Sequence, residues 1–350
     1  MKHKLILSIL IMASLAACSQ SRIAVVLSST PNPAEEPSIN STLTPTVTPT
    51  LSPTATPSSS TPIPLNGKIV FTSISRIHNS ISLLNPPDGN ILSVNGLGSD
   101  AIAWSPDGAW IAFNGGIPPA QNQGVVSQLV DLFIIKPNGS DYKRLTQSSQ
   151  GKGDVNWSPD GKLLVYTYTN HTQPSDLAIF DIDGQATYLL SNTTGYESHP
   201  AWSPNGQQIA YLYTEDIDQP SELWLMNANS KTSQRILDFE LAPSRIDWSP
   251  DGQWIAFVSA ENSQPCGNIY IVASDGTDLT QLTDLGGCAL SVVWSPNGRN
   301  LAFIERKDFF NNFQEWQSQI GIMDISSQSR VTVTIEETWR INDIDWQPIQ

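Results

Sequence analysis

Six positions, each three residues before a repeated tryptophan, carry mostly polar or ionisable residues. This set comprises Ala101, Asp154, His199, Arg245, Ser291 and Asp343, with Asp100 beside its first member. An Asp, a His and an Arg held close together can act as general base, general acid and oxyanion stabiliser. We interpret Asp100, Asp154, His199, Arg245 and Asp343 as a candidate ligand rim. The alternatives are an ion-binding ring and a set of solvated side chains.

The tryptophan belongs to a pentapeptide, Trp-Ser-Pro-[Asp/Asn]-Gly, that occurs five times. The copies begin at Trp104, Trp157, Trp202, Trp248 and Trp294, at spacings of 53, 45, 46 and 46 residues. An aromatic residue follows each tryptophan nine positions later, at the end of triplets such as Ile111-Ala112-Phe113. A period near 45 residues is typical of a four-stranded propeller blade.

The pentapeptide has the composition of a tight turn between two antiparallel strands. Ser, Pro, Asp or Asn, and Gly suit the four successive positions of a type I turn. The tryptophan ends the first strand, and the apolar triplet forms the second. A third strand and a short outer strand follow, the latter clearest at Leu145-Thr146 and Leu282-Thr283.

Incomplete repeats at the two ends of this array predict how the ring closes. Lys68-Ile69-Val70-Phe71 matches a second strand that lacks its own Trp-Ser-Pro, and Ile344-Asp345-Trp346 matches a first strand. We therefore predict that residues 342–347 supply the inner strand of a blade built otherwise from residues 67–95. The predicted fold is all-β, a six-bladed β-propeller of four-stranded antiparallel blades without free sheet edges at the closure.

The repeat resembles that of the TolB-like propellers, because Trp-Ser-Pro-Asp-Gly is followed by Ile-Ala-Phe, a later Asp-Gly turn and Leu-Thr. The likeness spans about residues 67–347. The repeat is also similar to the propeller halves of prolyl-oligopeptidase-type peptidases, whose Gly-x-Ser-x-Gly nucleophile turn this chain lacks. TolB itself carries an α/β domain before its propeller, so the resemblance implies the fold without a role in the Tol–Pal system.

The N-terminal region has the pattern of an export signal followed by a linker. Residues 1–17 combine Lys2 and Lys4 with an apolar run, and Leu15-Ala16-Ala17-Cys18 resembles the bacterial lipoprotein box. Lipidation of Cys18 would place the protein outside the cytoplasm on the bacterial membrane; ordinary secretion with a free Cys18 is the alternative. Residues 18–65 hold a Ser/Thr/Pro-rich linker, which favours extended polyproline II, and residues 66–350 form the propeller.

Charge and cysteine content limit the partners and the redox state. A formal charge of −15 disfavours nucleic acid and anionic lipid as partners, so the membrane is contacted through the anchor alone. Cys266 and Cys288 emerge from connections on the same face of one blade, and a disulfide suits an exported protein. Two free thiols are the alternative.

A loop over residues 305–318 carries a cluster of aromatic side chains. Its candidate partner contacts are Phe309, Phe310, Phe313 and Trp316. Aromatic side chains dominate interaction hot spots, although these four could instead fold down as a lid. An acidic loop contains Glu215, Asp216, Asp218 and Glu222, but its spacing is not that of an EF-hand, so we predict neither a metal nor a cofactor.

These features predict a monomeric, membrane-anchored extracytoplasmic propeller that binds or scaffolds an envelope protein, peptide or glycan without catalysis. The alternative is an envelope hydrolase or lyase with its site at the channel mouth. An imidazole and a carboxylate within hydrogen-bond reach inside a concave pocket would favour the enzyme. A passive spacer would need no site at all.

Overall fold

A computed structural model describes residues 19–21 and 67–348, apart from twelve short gaps in the connections. These gaps are 75–78, 86–89, 96–99, 117–129, 148–149, 171–173, 217–218, 238–243, 260–266, 285–287, 308–316 and 335–339. All regular secondary structure in the described ranges is β-strand. No described segment forms a helix that is long and apolar enough to cross a membrane.

The strands form six antiparallel sheets, which we number as blades along the chain. Blade 1 contains β1 (Ser19–Ser21), β2 (Ile69–Ile74), β3 (Asn79–Asn85) and β4 (Asn90–Asn95). Blade 2 contains β5 (Ile102–Trp104), β6 (Ile111–Gly116), β7 (Val130–Ile135) and β8 (Lys143–Arg144). Blade 3 contains β9 (Gly151–Trp157), β10 (Leu163–Thr169), β11 (Asp176–Asp181) and β12 (Ala186–Leu189).

The second half of the ring repeats this order. Blade 4 contains β13 (Tyr196–Trp202), β14 (Gln208–Thr214), β15 (Glu222–Asn227) and β16 (Ser233–Leu237). Blade 5 contains β17 (Ser244–Trp248), β18 (Trp254–Ser259), β19 (Asn268–Ala273) and β20 (Thr280–Gln281). Blade 6 contains β21 (Cys288–Trp294), β22 (Asn300–Lys307), β23 (Gln317–Asp324) and β24 (Arg330–Thr334), and β25 (Arg340–Trp346) returns to blade 1.

The ring closes as the incomplete repeats predict. β25 pairs antiparallel with β2, in a register that sets Ile69 opposite Trp346 and Ile74 opposite Arg340. Consecutive inner strands contact one another around the whole circle, from β5 through to β25 and back to β5. The short β1 adds a fifth strand to blade 1, with Ser19 opposite Ser93 of β4.

The Ser-Pro-[Asp/Asn]-Gly turn has the same structural role in all five copies. The serine hydroxyl accepts a hydrogen bond of 2.8–2.9 Å from the backbone N–H of the residue five positions later. The same hydroxyl donates a hydrogen bond of 2.6–2.8 Å to Oδ1 of the turn's Asp or Asn. The glycine N–H donates to the serine carbonyl, and the glycine φ lies between +63° and +71°, where a Cβ would be strained. The predicted turn is confirmed, and its repetition is explained by structure alone.

Six apolar clusters, one at each blade interface, form the core. The cluster that joins blades 6 and 1 contains Phe71 and Ile344 from blade 1 with Ile304 and Ile322 from blade 6. Since both faces of each blade are buried, apolar residues stand on both faces of the second and third strands. The closing interface is as apolar as the other five, so the ring is a packed circle rather than an open array.

Candidate functional site

A register shift in the inner strands places the candidate rim residues at the channel mouth. Five inner strands, β9, β13, β17, β21 and β25, carry such a shift two to four residues before their tryptophan. A bulge of this kind turns side chains away from regular alternation. At two of these positions, His199 and Arg245, φ is +51° and +60°. A left-handed φ is uncommon for residues other than glycine. It persists only where the surrounding structure holds the backbone in that conformation.

Arg245 bridges the channel and connects four blades. Its Nη1 donates to Asp154 Oδ1 at 2.8 Å and lies 3.4 Å from Asp343 Oδ2. Its Nη2 donates to the backbone carbonyl of Asp100 at 2.8 Å. The side chains of Arg245 and Asp154 are each 20% exposed, and that of Asp343 is 7% exposed. The structure therefore brings these four rim residues together around one guanidinium group.

His199 meets Asp154 through its backbone rather than through its ring. The His199 N–H donates to Asp154 Oδ2 at 3.1 Å, and the Thr167 hydroxyl donates to the same oxygen at 3.2 Å. The distance from His199 Nδ1 to Asp154 Oδ2 is 3.8 Å, beyond hydrogen-bond range. The Nδ1 atom instead lies 3.0 Å from the Ser198 hydroxyl. The fifth rim residue is therefore present, but its imidazole is not paired with the carboxylate.

Electrostatics at the mouth favour a permanent ion pair between Arg245 and Asp154. Burial alone would raise the pKa of Asp154, but His199, Arg245 and the hydrogen bonds to its carboxylate hold that pKa at about 2. Burial lowers the pKa of His199, and the charge of Asp154 raises it by a smaller amount. The net pKa is therefore below its usual value, and the imidazole is neutral at pH 7. Arg245 is then the cation that stabilises the Asp154 carboxylate at neutral pH. Burial also raises the pKa of Asp343, against the opposing charge of Arg245.

A second layer of polar residues lies deeper in the channel, one position before the tryptophan of alternate blades. The side chain of each member accepts a hydrogen bond from the backbone N–H of the tryptophan in the next blade. The pairs are Asn156 with Trp202 (3.0 Å), Asp247 with Trp294 (2.7 Å) and Asp345 with Trp104 (2.5 Å). The intervening blades carry Ala103, Ala201 and Val293 at this position. Sequence reasoning missed this layer, although the alternation Ala, Asn, Ala, Asp, Val, Asp was its visible signal.

The indole N–H groups follow the same alternation. Trp157 and Trp248 donate through Nε1 to the carbonyls of Ala103 and Ala201, at 3.2 and 3.1 Å. The indole nitrogens of Trp104, Trp202 and Trp294 are buried and have no hydrogen-bond partner among the described residues. The polar layer therefore recurs in every second blade, and the indole contacts of these five tryptophans alternate with it.

Burial makes the channel acids weak. Burial raises the pKa of Asp247 to about 7, although the N–H groups of Trp294 and Trp248 oppose that shift. Burial also raises the pKa of Asp345 well above its usual range, and the charge of Asp247 adds to that shift. Together with the rim, these residues line a cavity of about 60 Å³. A cavity of this size holds a few water molecules, whereas pockets for organic ligands measure about 300–1,000 Å³.

The remaining candidates are only partly described. Phe309, Phe310, Phe313, Trp316, Cys18 and Cys266 lie outside the described residues, so their predicted roles stay predictions. Glu222 of the acidic loop lies on β15, where Arg235 Nη1 donates to it at 2.6 Å and Trp224 Nε1 at 2.8 Å. Within the described part of the chain, no group of three or more His, Cys, Asp or Glu residues is arranged to hold a metal ion.

Comparison with solved structures finds the same fold in proteins of different kinds. TolB from Acinetobacter baumannii aligns with a TM-score of 0.64 at 16% identity, covering 81% of this chain and 67% of TolB. A nidogen/laminin complex aligns with a TM-score of 0.61 at 11% identity, covering 81% of this chain and 98% of the matched one. Oligogalacturonate lyase from Vibrio parahaemolyticus aligns with a TM-score of 0.54 at 15% identity, covering 78% and 76%. Identities this low establish the architecture and not a shared activity.

Sequence comparison identifies the family of the chain. None of the curated proteins compared with the chain matches it. The family model described as the TolB beta propeller domain matches residues 139–338, more than half of the chain. The matched region begins at the second turn of blade 2 and ends beyond the outer strand of blade 6. With its repeat, its closed ring of six blades and this match, the chain belongs to the TolB beta-propeller domain family.

Proposed function

We propose that this protein is a non-enzymatic binding or scaffold module of the bacterial cell envelope. In this proposal a lipid on Cys18 holds it on the outer side of the membrane, and its partner is an envelope protein, peptide or glycan. The observation that carries the proposal is that Arg245 bridges the channel mouth by its contacts with Asp154, Asp343 and the Asp100 carbonyl. A rim that is occupied by its own ion pairs leaves the outer surfaces and variable loops as the binding surface.

The energetics of the rim oppose a substrate site in the channel. Arg245 uses its guanidinium on Asp154, Asp343 and the Asp100 carbonyl, so an entering ligand would have to displace contacts made by partly buried charges. Separating such a pair leaves an uncompensated charge, which is strongly unfavourable. The cavity of about 60 Å³ is also too small for a sugar ring or a peptide.

The alternative, a hydrolase or lyase at the channel mouth, has weaker support. A general base works best with a pKa near the working pH, whereas the pKa of Asp154 is about 2. The His199 ring is 3.8 Å from that carboxylate and does not form an acid–base dyad with it. One structural neighbour is a lyase, but at 15% identity it shares the fold alone.

Affinity capture tests the proposal directly. The chain is immobilised and exposed to envelope proteins and to an envelope glycan array, beside a variant in which Phe309, Phe310, Phe313 and Trp316 are all alanine. A specific partner that the parent binds, and that a folded variant loses, supports the binding module and locates its surface.

The same preparations should be assayed for turnover of peptide, ester and uronate substrates. Turnover by the parent that Asp154→Asn and His199→Gln both abolish, together with no captured partner, would establish the enzyme instead. Arg235→Ala is the matched control for these assays, because it removes an exposed arginine–glutamate pair far from the channel.

A further inference from the structure

A second and larger cavity lies at the other end of the inner strands, on the turn face between blades 2 and 3. Its volume is about 440 Å³, within the range of pockets that bind organic groups. Its floor is apolar, formed by Ile134 and Trp157, which are 4% and 6% exposed. Trp110 and Ile182 are half-buried and form its sides. Neither the repeat nor the family match assigns a role to this cavity.

The mouth of this cavity is acidic. Asp107 and Asp160, the third residues of two successive Ser-Pro-Asp-Gly turns, both line it and are exposed. The hydroxyl of Ser105 lowers the pKa of Asp107, and that of Ser158 lowers the pKa of Asp160, so both carboxylates are charged at neutral pH. The cavity therefore combines an apolar interior with two negative charges at its opening.

Three lysines lie near this opening, and none of them lines the cavity. Exposed Lys162 is two residues from Asp160, and its charge helps to lower the pKa of that carboxylate. Lys143 Nζ and Lys136 Nζ lie 4.5 and 5.5 Å from the ring centroid of Trp110, and neither lines the cavity. Lys136 is also paired with Asp141. The two lysines make cation–π contacts with the Trp110 ring, which forms one wall of the cavity. The charged groups that line the cavity itself are both carboxylates.

We propose that this cavity binds a peptide segment in which a large apolar side chain stands next to basic residues. The apolar side chain enters first, against Ile134 and Trp157, because an apolar floor cannot solvate a charge. The basic neighbours remain at the mouth, where they meet Asp107 and Asp160. Deeply buried aromatic anchors with a polar rim are the usual energetic centre of a protein interface. The inference rests on the proposed binding function and names the chemistry of the partner.

The chain itself supplies substitutions that preserve the fold. The turns of blades 4 and 6 carry Asn205 and Asn297 where blades 2 and 3 carry Asp107 and Asp160, and their Oδ1 atoms accept the same hydrogen bonds. Asp107→Asn with Asp160→Asn therefore removes the mouth charges while keeping both turns. The matched control is Asp251→Asn, which changes the equivalent turn of blade 5 away from the cavity.

A second pair of variants tests the apolar wall. Blade 3 carries Leu163 at the position equivalent to Trp110, so the repeat accepts leucine there. Trp110→Leu therefore removes the ring from the wall of the cavity. Its matched control is Trp254→Leu in blade 5, at the equivalent position and outside the cavity.

The experiment is calorimetric titration of the full chain with acetyl-Lys-Trp-Lys-amide, beside acetyl-Glu-Trp-Glu-amide and acetyl-Lys-Ala-Lys-amide. We expect saturable binding of the first peptide alone, weakened about fivefold to tenfold by the double Asp→Asn change and at least tenfold by Trp110→Leu. Both blade 5 controls should bind as the parent does, and added salt should weaken binding.

Equal binding of the acidic peptide, or binding that survives both changes in folded variants, would overturn the proposal. Absence of binding at millimolar peptide, or saturation of the cavity by a neutral disaccharide instead, would overturn it as well. If envelope capture succeeds while any of these results holds, the binding function stands and the pocket assignment fails. If capture also fails on every surface, the binding function fails with it.

Discussion

Arg245 Nη1 donates a 2.8 Å hydrogen bond to Asp154 Oδ1 across the channel, although blade 4 lies between the blades that carry the two residues. The backbone at Arg245 adopts a φ of +60°, which a non-glycine residue avoids unless its surroundings stabilise it. The pair therefore links two blades that are not neighbours in the ring. We conclude that it has a structural role at the channel mouth.

Replacing Arg245 should test this role. We expect Arg245→Ala to lower the free energy of unfolding by about 2 kcal/mol, because Asp154 loses its charged partner while remaining largely buried. Arg245→Gly should be less destabilised than Arg245→Ala by about 1 kcal/mol, because glycine accepts the left-handed φ without strain. Urea unfolding measures both values.

Arg235→Ala serves as the control for these two variants. It also removes an arginine from an ion pair, but this arginine side chain is 48% exposed, so its loss should change the unfolding free energy by less than about 0.5 kcal/mol. Equal stability of the alanine and glycine variants of Arg245 would mean that the left-handed backbone carries no strain. A negligible effect of both would contradict the structural role.

Asp247 should make stability depend on pH. Its pKa is about 7 in the folded protein, against 3.8 for an unperturbed aspartate. Its contribution is therefore complete below about pH 4 and is lost as pH rises through 7, because the unfolded chain releases this proton more readily. Asp247→Asn removes that dependence and keeps an acceptor for the Trp294 N–H. Asn156 already has this role toward Trp202, at 3.0 Å.

We expect the unfolding free energy of Asp247→Asn, relative to the parent, to rise by up to about 4 kcal/mol between pH 4 and pH 8. Taking the difference from the parent cancels groups that do not interact with Asp247, such as Glu197 with its pKa of about 6. Asp345 is not cancelled, because loss of the Asp247 charge lowers its pKa and adds to the same rise. A flat difference for Asp247→Asn would mean that the channel is hydrated enough to keep this carboxylate charged.

The fold could be predicted from the sequence because each local repeat signal agreed with the overall propeller architecture. The Ser105 turn, the aromatic at Phe113 and the unpaired half-repeats at Ile69 and Trp346 all depend on local spacing, and the structure uses them as that spacing indicates. The positions of the rim residues at the channel mouth followed from the same periodicity.

The chemistry of the channel could not be predicted in the same way. The reach of Arg245 depends on a bulge and a left-handed φ, and neither leaves a residue signature. The weak acidity of Asp247 and Asp345 arises from desolvation inside the channel of a closed ring, which is a property of the assembled blades. Local pattern therefore determined the architecture, and tertiary packing determined the protonation and pairing of the site.

The anchor prediction concerns Cys18, which directly precedes β1. The described residues that follow it, Ser19–Ser21, pair with β4 of blade 1. We expect a labelled fatty acid to be incorporated into the parent and not into Cys18→Ser, and the variant to leave the membrane fraction. Membrane association that persists without label in Cys18→Ser would show that another segment holds the protein there.

The last prediction is the disulfide between Cys266 and Cys288. Gly267 and Ala289, the residues that follow the two cysteines, form an antiparallel bridge in which the Ala289 N–H donates to the Gly267 carbonyl at 3.1 Å. The bridge brings the beginning of β19 beside the inner strand of blade 6, so a crosslink here would join blades 5 and 6. In the chain-entropy model a disulfide that closes a loop of this length contributes about 3 kcal/mol to stability.

Alkylation of the unfolded, unreduced protein should label neither cysteine. Cys266→Ser should lower the free energy of unfolding by about that amount and leave one reactive thiol. Labelling of both cysteines in protein isolated from the envelope would show free thiols, and Cys266→Ser would then be nearly neutral.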